Sequence, residues 1–322
     1  MARLLAGIDI GGTKTAVVLS VAPPHIAWRA EFPTFPERGP DHALKQVVAL
    51  LRRGSDETGG KISAIGVSCG GPLDRVRGMI QRPPNLWTWD DVPIKDLLEA
   101  EFDVPCRIEN DANAGAVAEH QFGAGQGCQH LVFLTLGTGL GAGLILDGRI
   151  FRGASNMAGE IGHVRLTEDG PNGHDKAGSA EGWASGAGIA RQGAAMVREA
   201  SELTQLSGKL DTLTARDIGL AFEQGDAVAG RIIEQAGRRL GEAIAILVDI
   251  LNPERVIVGG LALRLGDKLL DPARASMRVE ALPTSAAACS IVPAQLGESI
   301  GDLAAICIAM GLHDEGPRRE QA

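Results

Sequence analysis

Apolar residues in this chain fall into short runs that end in glycine. RLLAGIDI and KTAVVLS flank Gly11-Gly12, the pattern of two strands joined as a β-hairpin. A third strand is expected near Ile26 to Phe32. Leu44, Val47, Val48 and Leu51 then recur at helical spacing. AIGVSCGGP reads as a buried strand closed by a Gly-Gly-Pro turn. Pro93 to Phe102 reads as a helix with proline in its first turn, burying Ile94, Leu97 and Leu98. A strand over Val104 to Ile108 and a helix from about Ala112 follow. The pattern then repeats: LVFLTLGTGLGAGLILDG (131–148) is a second apolar–glycine–apolar hairpin, with a short strand at Arg149 to Phe151. The echo in layout predicts two domains of related architecture. Residues 152–185 are glycine-rich and irregular. Helices are expected around 187–203, after the N-cap Thr214, and over Ala227 to Leu251, where Asn252-Pro253 stops the last of them. Val256 to Gly260 reads as a strand, Asp302 to Leu312 as the final helix, and the polar tail DEGPRREQA as disordered.

Composition narrows the class. The 322 residues suit two domains, and 44% apolar with 22% charged residues is the balance of a globular protein. The 43 glycines are about twice the usual share. They follow no collagen-like period, so they point to tight turns and close backbone approach to ligands. With 31 basic and 40 acidic side chains the net charge is −9, and no basic cluster offers a footprint for nucleic acid. Five widely spaced cysteines, none in C-x-x-C, argue against a disulfide scaffold and a local zinc site and favour a reducing compartment. No signal-peptide core and no membrane-length apolar run occurs, so a cytoplasmic enzyme is expected.

Strands meet glycine or threonine turns at residues 8–15, 66–72, 135–143 and 256–260. Such turns expose backbone N–H groups that can cradle phosphate oxygens, although each alone reads first as a plain hairpin turn. None matches a P-loop or a dinucleotide fingerprint. Two hairpins at corresponding places in two halves favour a nucleotide.

These segments carry a family resemblance. DIGGTKT (9–15), LGTGLGAG (136–143) and VIVGG (256–260) resemble the phosphate and adenosine elements of the actin-like ATPase/hexokinase superfamily. PPNLWTW (83–89), ENDANAGAVAE (109–119), GEIGH (159–163) and SAEGWASG (179–186) are similar, in order, to the ROK family of sugar kinases and sugar-responsive repressors. The resemblance implies an α/β fold of two actin-like (ribonuclease H-like) domains with an interdomain active-site cleft. The small domain would span 1–118 with the helix at about 298–313, and the large one 119–297. It further implies transfer of the γ-phosphate of Mg·ATP to a hexose, glucose first. N-acetylglucosamine, N-acetylmannosamine and other hexoses are the alternatives.

By the same resemblance Asp111 is the catalytic base, a role chemistry supports because hydroxyl attack on phosphorus releases a proton. Asp111 also reads as a cap for the helix that follows. Gly71, Asn110, Asp111, Glu160, His163 and Glu181 would bind the sugar. Gly11, Gly12, Thr13, Lys14, Thr138, Gly139, Gly259 and Gly260 would hold the nucleotide, with Lys14 equally readable as a solvated hairpin lysine. Asp9 would serve Mg²⁺, through water. Trp87 and Trp89 read as packing residues rather than sugar platforms.

One departure stands out. Most ROK proteins carry C-x-C-G-x-x-G-C after G-E-x-G-H, where cysteines bind structural zinc, whereas here NGHDKAGSAE (172–181) has none. Thiolate ligation there is excluded, and either something other than zinc orients His163 or that side chain is held more loosely. The family also implies a homo-oligomer. A non-catalytic sugar sensor is disfavoured by a first strand beginning near Arg3, which leaves no room for an N-terminal helix-turn-helix. Polyphosphate as donor would want a basic groove that the composition does not advertise.

Overall fold

The computed structural model describes residues 2–311; the tail read as disordered lies outside them. The chain forms two compact units, one holding the first 123 residues and the chain from Glu298 onward, the other Ala124–Gly297.

The first unit begins with the expected hairpin, β1 (Arg3–Ile10) and β2 (Lys14–Ser20), extended by β3 (Trp28–Pro33). Helix α1 (Pro40–Thr58) starts on Pro40, whose missing N–H costs nothing at that position. It buries Leu44, Val47 and Leu51 and ends at Gly59 in the left-handed region. Next come β4 (Lys61–Cys69), a ribbon of β5 (Leu73–Asp74) with β6 (Met79–Ile80), α2 (Ile94–Phe102), β7 (Cys106–Asn110) and α3 (Asp111–Phe122). The sheet order is β3-β2-β1-β4-β7. β1, β2 and β3 pair antiparallel, while β4 and β7 join parallel to β1. Leu4, Ile8, Leu19, Leu51, Ile65 and Trp89 are fully enclosed in this core.

The last helix, Ile300–Met310, returns to this sheet. It lies so close that a Cβ on Gly66 of β4 would stand 2.2 Å from the Ala305 carbonyl oxygen. The glycine in AIGVSC therefore lets the helix backbone rest on the strand, and that seating brings residues 301 and 302 to the end of β1.

The second unit repeats the plan with β8 (Leu131–Leu136), β9 (Leu140–Leu146) and β10 (Arg149–Phe151). Within the irregular stretch lie a ribbon of β11 (Asn172–Gly173) with β12 (Lys176–Ala177) and a short α4 (Ala180–Ala184). Helices α5 (Gly186–Glu199), α6 (Ala215–Glu223) and α7 (Ala227–Leu251) follow. Thr214 and Asp217 form a reciprocal capping box on α6, and Asn252 turns left-handed to end α7. β13 (Arg255–Val258), α8 (Leu261–Leu265), α9 (Asp267–Glu280), α10 (Pro283–Ala288) and β14 (Ser290–Pro293) complete the unit. Its sheet order is β10-β9-β8-β13-β14, with the antiparallel and parallel pairings of the first sheet.

Two five-stranded mixed sheets of one topology agree with the expected α/β class. Between Gly260 and the last helix the sequence pattern predicts no element, because Pro272 sits inside α9, where proline normally signals a break, and β14 is only four residues long. All five cysteines are free and buried. Among the described residues no helix is long and apolar enough to cross a membrane.

Candidate active site

The sequence-identified residues fall into two groups, one in each unit. In the first unit three parallel strands end side by side. Pairing sets Asp9 of β1 opposite Ser68 of β4, and Ser68 opposite Glu109 of β7. Two strand spacings, about 10 Å, therefore separate the Asp9 backbone from the strand that delivers Asn110 and Asp111. Strand ends are natural places for a polar site, because the ladder stops and the helix that follows presents free N–H groups.

At the junction of β7 and α3 the cap is Asn110, not Asp111. The Asn110 Oδ1 accepts from the N–H groups of Ala112 at 3.0 Å and Asn113 at 3.4 Å. Asp111 is the first helical residue, and its Oδ1 accepts from the Ala112 N–H at 2.8 Å. With Asn110 in place as the cap, the other carboxylate oxygen of Asp111 is spared that duty. It faces Gly70, where a Cβ would stand 4.0 Å away, while the Asn110 amide nitrogen faces Gly71 at 3.5 Å. The Asp111 residue surface is open to solvent, yet the surrounding protein pushes its carboxyl above the usual range, opposed by the Ala112 N–H. Beneath, the buried Glu109 accepts from the Asn110 N–H and the Asn113 side chain and pairs with Arg75, fixing the start of α3.

Asp9 is half-buried and its carboxyl is pushed up to about 6. Burial is the first cause and the Asp111 charge the second; a hydrogen bond from Ser68 pulls the other way, Asp302 raises it further and Lys14 lowers it. Asp302, unassigned from the sequence, is buried in the first turn of the last helix and accepts from Arg29 Nε at 2.7 Å. Its neighbour Gly301 lies against Asp9: a Cβ there would be 2.3 Å from Oδ2. Glycine at 301, in the first turn of the last helix, leaves room for this contact. Asp111 and Asp302 both crowd negative charge onto Asp9, a surplus that a divalent cation would offset. One carboxylate oxygen from Asp9 fits Mg²⁺, which keeps most of its own waters. Cys69 at the same strand end is enclosed, and burial with the two aspartates holds its thiol protonated.

The Gly11–Lys14 turn is braced by Thr34, the residue after β3. Thr34 donates its hydroxyl to the Gly11 carbonyl at 2.7 Å and its N–H to that of Thr13 at 3.1 Å. Gly12 has a packing reason of its own, since a Cβ would meet Asn85 at 2.6 Å. Lys14 is exposed and sits 3.3 Å from Glu31. Of the two tryptophans, Trp89 is enclosed in the core and Trp87 is half exposed.

In the second unit the β8–β9 turn is held by the start of α5. The N–H groups of Gly186 and Ala187 donate to the carbonyls of Gly137 at 2.8 Å and Thr138 at 3.3 Å. A Cβ on Gly137 would meet nothing within 4 Å, so this exposed turn has room for a phosphate. Gly259 and Gly260 lie beside it, and Gly260 is left-handed with a would-be Cβ 2.1 Å from the Leu136 oxygen. That glycine is demanded by packing whether or not a nucleotide binds. Glu181, in the first turn of α4, reaches the same turn and accepts from the Leu140 N–H at 3.1 Å. The loop bearing Glu160 and His163 docks there too: the Ala142 N–H donates to Gly159 at 2.9 Å, and a Cβ on Gly162 would approach Leu140 to 2.3 Å and the Glu181 Cβ to 3.3 Å. Glu160 and His163 are exposed. His163 stacks on His174 with ring centroids 4.8 Å apart. Among the described residues no cluster of three or more His, Cys, Asp or Glu is placed to hold a metal ion.

The ROK family pattern matches residues 5–311. A glucokinase from Halalkalibacterium halodurans is 36% identical over 307 residues, 93% of this chain and 92% of that one. The crystal structure of a ROK glucokinase from Streptomyces griseus, in complex with glucose and AMPPNP, aligns with a TM-score of 0.81 at 32% identity, covering 96% of this chain and 99% of the other. A ROK transcriptional regulator, a homologue of the E. coli MLC protein, has a TM-score of 0.86 at 23% identity over 98% of this chain and 79% of its own, a likeness of fold. With two mixed sheets of one topology and the motifs in order along the chain, the protein belongs to the ROK family.

Proposed function

We propose that this protein is an ATP-dependent hexose kinase that phosphorylates the 6-hydroxyl of glucose. The observation that carries the reading is the junction of β7 and α3. Asn110 takes the capping duty and leaves an Asp111 carboxylate oxygen facing the Gly70–Gly71 turn, where a hydroxyl can be met. Glucokinases at about a third identity over nearly the whole chain support it.

In this reading Asp111 accepts the hydroxyl proton as the new O–P bond forms and the bond to the leaving ADP oxygen breaks. Such a base is worth about 10²–10⁴ in rate. Its raised carboxyl suits the task, since a base that holds a proton more readily takes one more readily. Asn110, Glu160, His163 and Glu181 offer an amide, two carboxylates and an imidazole to sugar hydroxyls, and Gly71 lets backbone come close. The Gly11–Lys14 and Gly137–Gly139 turns offer N–H groups to phosphates. Asp9, with Asp302 behind it, would hold Mg²⁺, which when bound neutralises phosphate charge.

The test is a coupled assay of ADP release over glucose, mannose, fructose, N-acetylglucosamine and N-acetylmannosamine. Glucose is expected to give the highest kcat/KM. A preference for an N-acetylhexosamine would move the substrate within the family. Sugar binding with no turnover on any member would replace the kinase reading with a sugar sensor.

A further inference from the structure

We propose that His174 is a positioning residue that sets Glu181 for sugar binding. The inference rests on the reading of Glu181 as a sugar ligand and goes beyond it to what holds that carboxylate. Both Glu181 oxygens have partners: Oε2 accepts from the Leu140 N–H at 3.1 Å, and Oε1 lies 3.1 Å from His174 Nε2. A carboxylate has about four acceptor directions, so two remain for hydroxyls while its rotation is stopped.

His174 is placed by an unusual turn. β11 and β12 are joined by two residues, His174 and Asp175, both left-handed with φ of 47° and 58°. That is the turn in which Asn-Gly is favoured, because β-carbons crowd the backbone there. Histidine accepts the conformation at a cost, and the turn alone does not call for it. The turn directs the ring to a specific place: it stacks on His163 at 4.8 Å with planes 21° apart and reaches Glu181. With its side chain 48% exposed, His174 is not a core residue kept for packing.

The ribbon is itself anchored. A Cβ on Gly173 would stand 2.8 Å from the Gly182 nitrogen and 3.1 Å from the Glu181 Cβ, so β11 lies directly on the first turn of α4. Lys176 Nζ donates to the His163 carbonyl at 2.8 Å. Ribbon, motif histidine and sugar carboxylate form one connected unit, in the segment that carries no cysteine.

The experiment compares wild type with His174→Asn and His174→Gln. Asparagine takes the left-handed turn at least as well as histidine but is too short to reach Glu181, so it removes the contact and keeps the ribbon. Glutamine is long enough to return an N–H donor. Asn should raise the glucose KM by up to about fivefold, the loss expected for one partly exposed polar contact to a carboxylate. The effect on kcat should be smaller, the KM for ATP should hold, and Gln should recover part of the loss. An unchanged glucose KM in His174→Asn, or an equal rise for ATP, overturns the proposal. Glucose Kd is measured beside turnover by calorimetry. A wild type that binds without turnover loses the kinase reading, yet the Kd ratio still decides the role of His174; a wild type that does not bind glucose overturns both.

Discussion

Replacing Asp9 by asparagine should make the protein more stable and less active. In the folded protein the Asp9 carboxyl is pushed from its ordinary 3.8 up to about 6, first by burial and then by Asp111. Between those two values the native state holds a proton that the unfolded chain has released, so stability falls as pH rises through that window. Below pH 3.8 the cost is absent; above about 6 it is complete. The full displacement corresponds to about 3 kcal/mol. Asp9 keeps part of its surface in water, which trims this to between about 1 and 3 kcal/mol. Asparagine keeps the shape and carries no charge, so Asp9→Asn should gain that amount at pH 7.5 and progressively less toward pH 4. The assay is equilibrium urea unfolding at several pH values, followed by tryptophan fluorescence in a Trp183→Phe background. There the remaining indoles, including the enclosed Trp89, all report on the first unit. Magnesium should stabilise the wild type and leave the variant unmoved, because only the wild type offers the carboxylate. A variant no more stable than wild type at pH 7.5, or a gain that does not vary with pH, would refute the electrostatic reasoning.

Two further outcomes test the first group of residues. Asp111→Asn should lower kcat by about 10²–10⁴ while glucose affinity stays within a few-fold, because Asn110 retains the cap; substantial residual turnover in a coupled assay would remove Asp111 as the base. Gly301→Ala sets two effects against each other. Alanine favours a helix by about 1 kcal/mol, but its Cβ would fall 2.3 Å from Asp9 Oδ2. The carboxylate can swing aside, so the fold should survive while the Mg²⁺ concentration for half-maximal rate rises; an unchanged magnesium titration would separate Asp9 from the metal.

What the sequence determined by itself is what short-range physics decides. Gly11-Gly12 and the 137–139 turn between alternating apolar runs predict both hairpins. Thr214 with Asp217 marks a helix start, and Asn252-Pro253 marks a helix end to the residue. Family motifs, in their order along the chain, mark Asp9, Asn110, Asp111, Glu160, His163 and Glu181 without any tertiary contact. The tertiary structure decided the rest because the deciding partners are far apart along the chain. Arg29 meets Asp302, Gly301 meets Asp9, and Gly66 lets a helix some 240 residues later lie on β4. It also moved the helix cap by one residue, from Asp111 to Asn110, a choice made by side-chain reach that composition does not encode. The same holds for His174, whose role appears only when a left-handed turn brings its ring to Glu181. The motifs mark the candidate groups; folding determined which neighbours hold each of them in place.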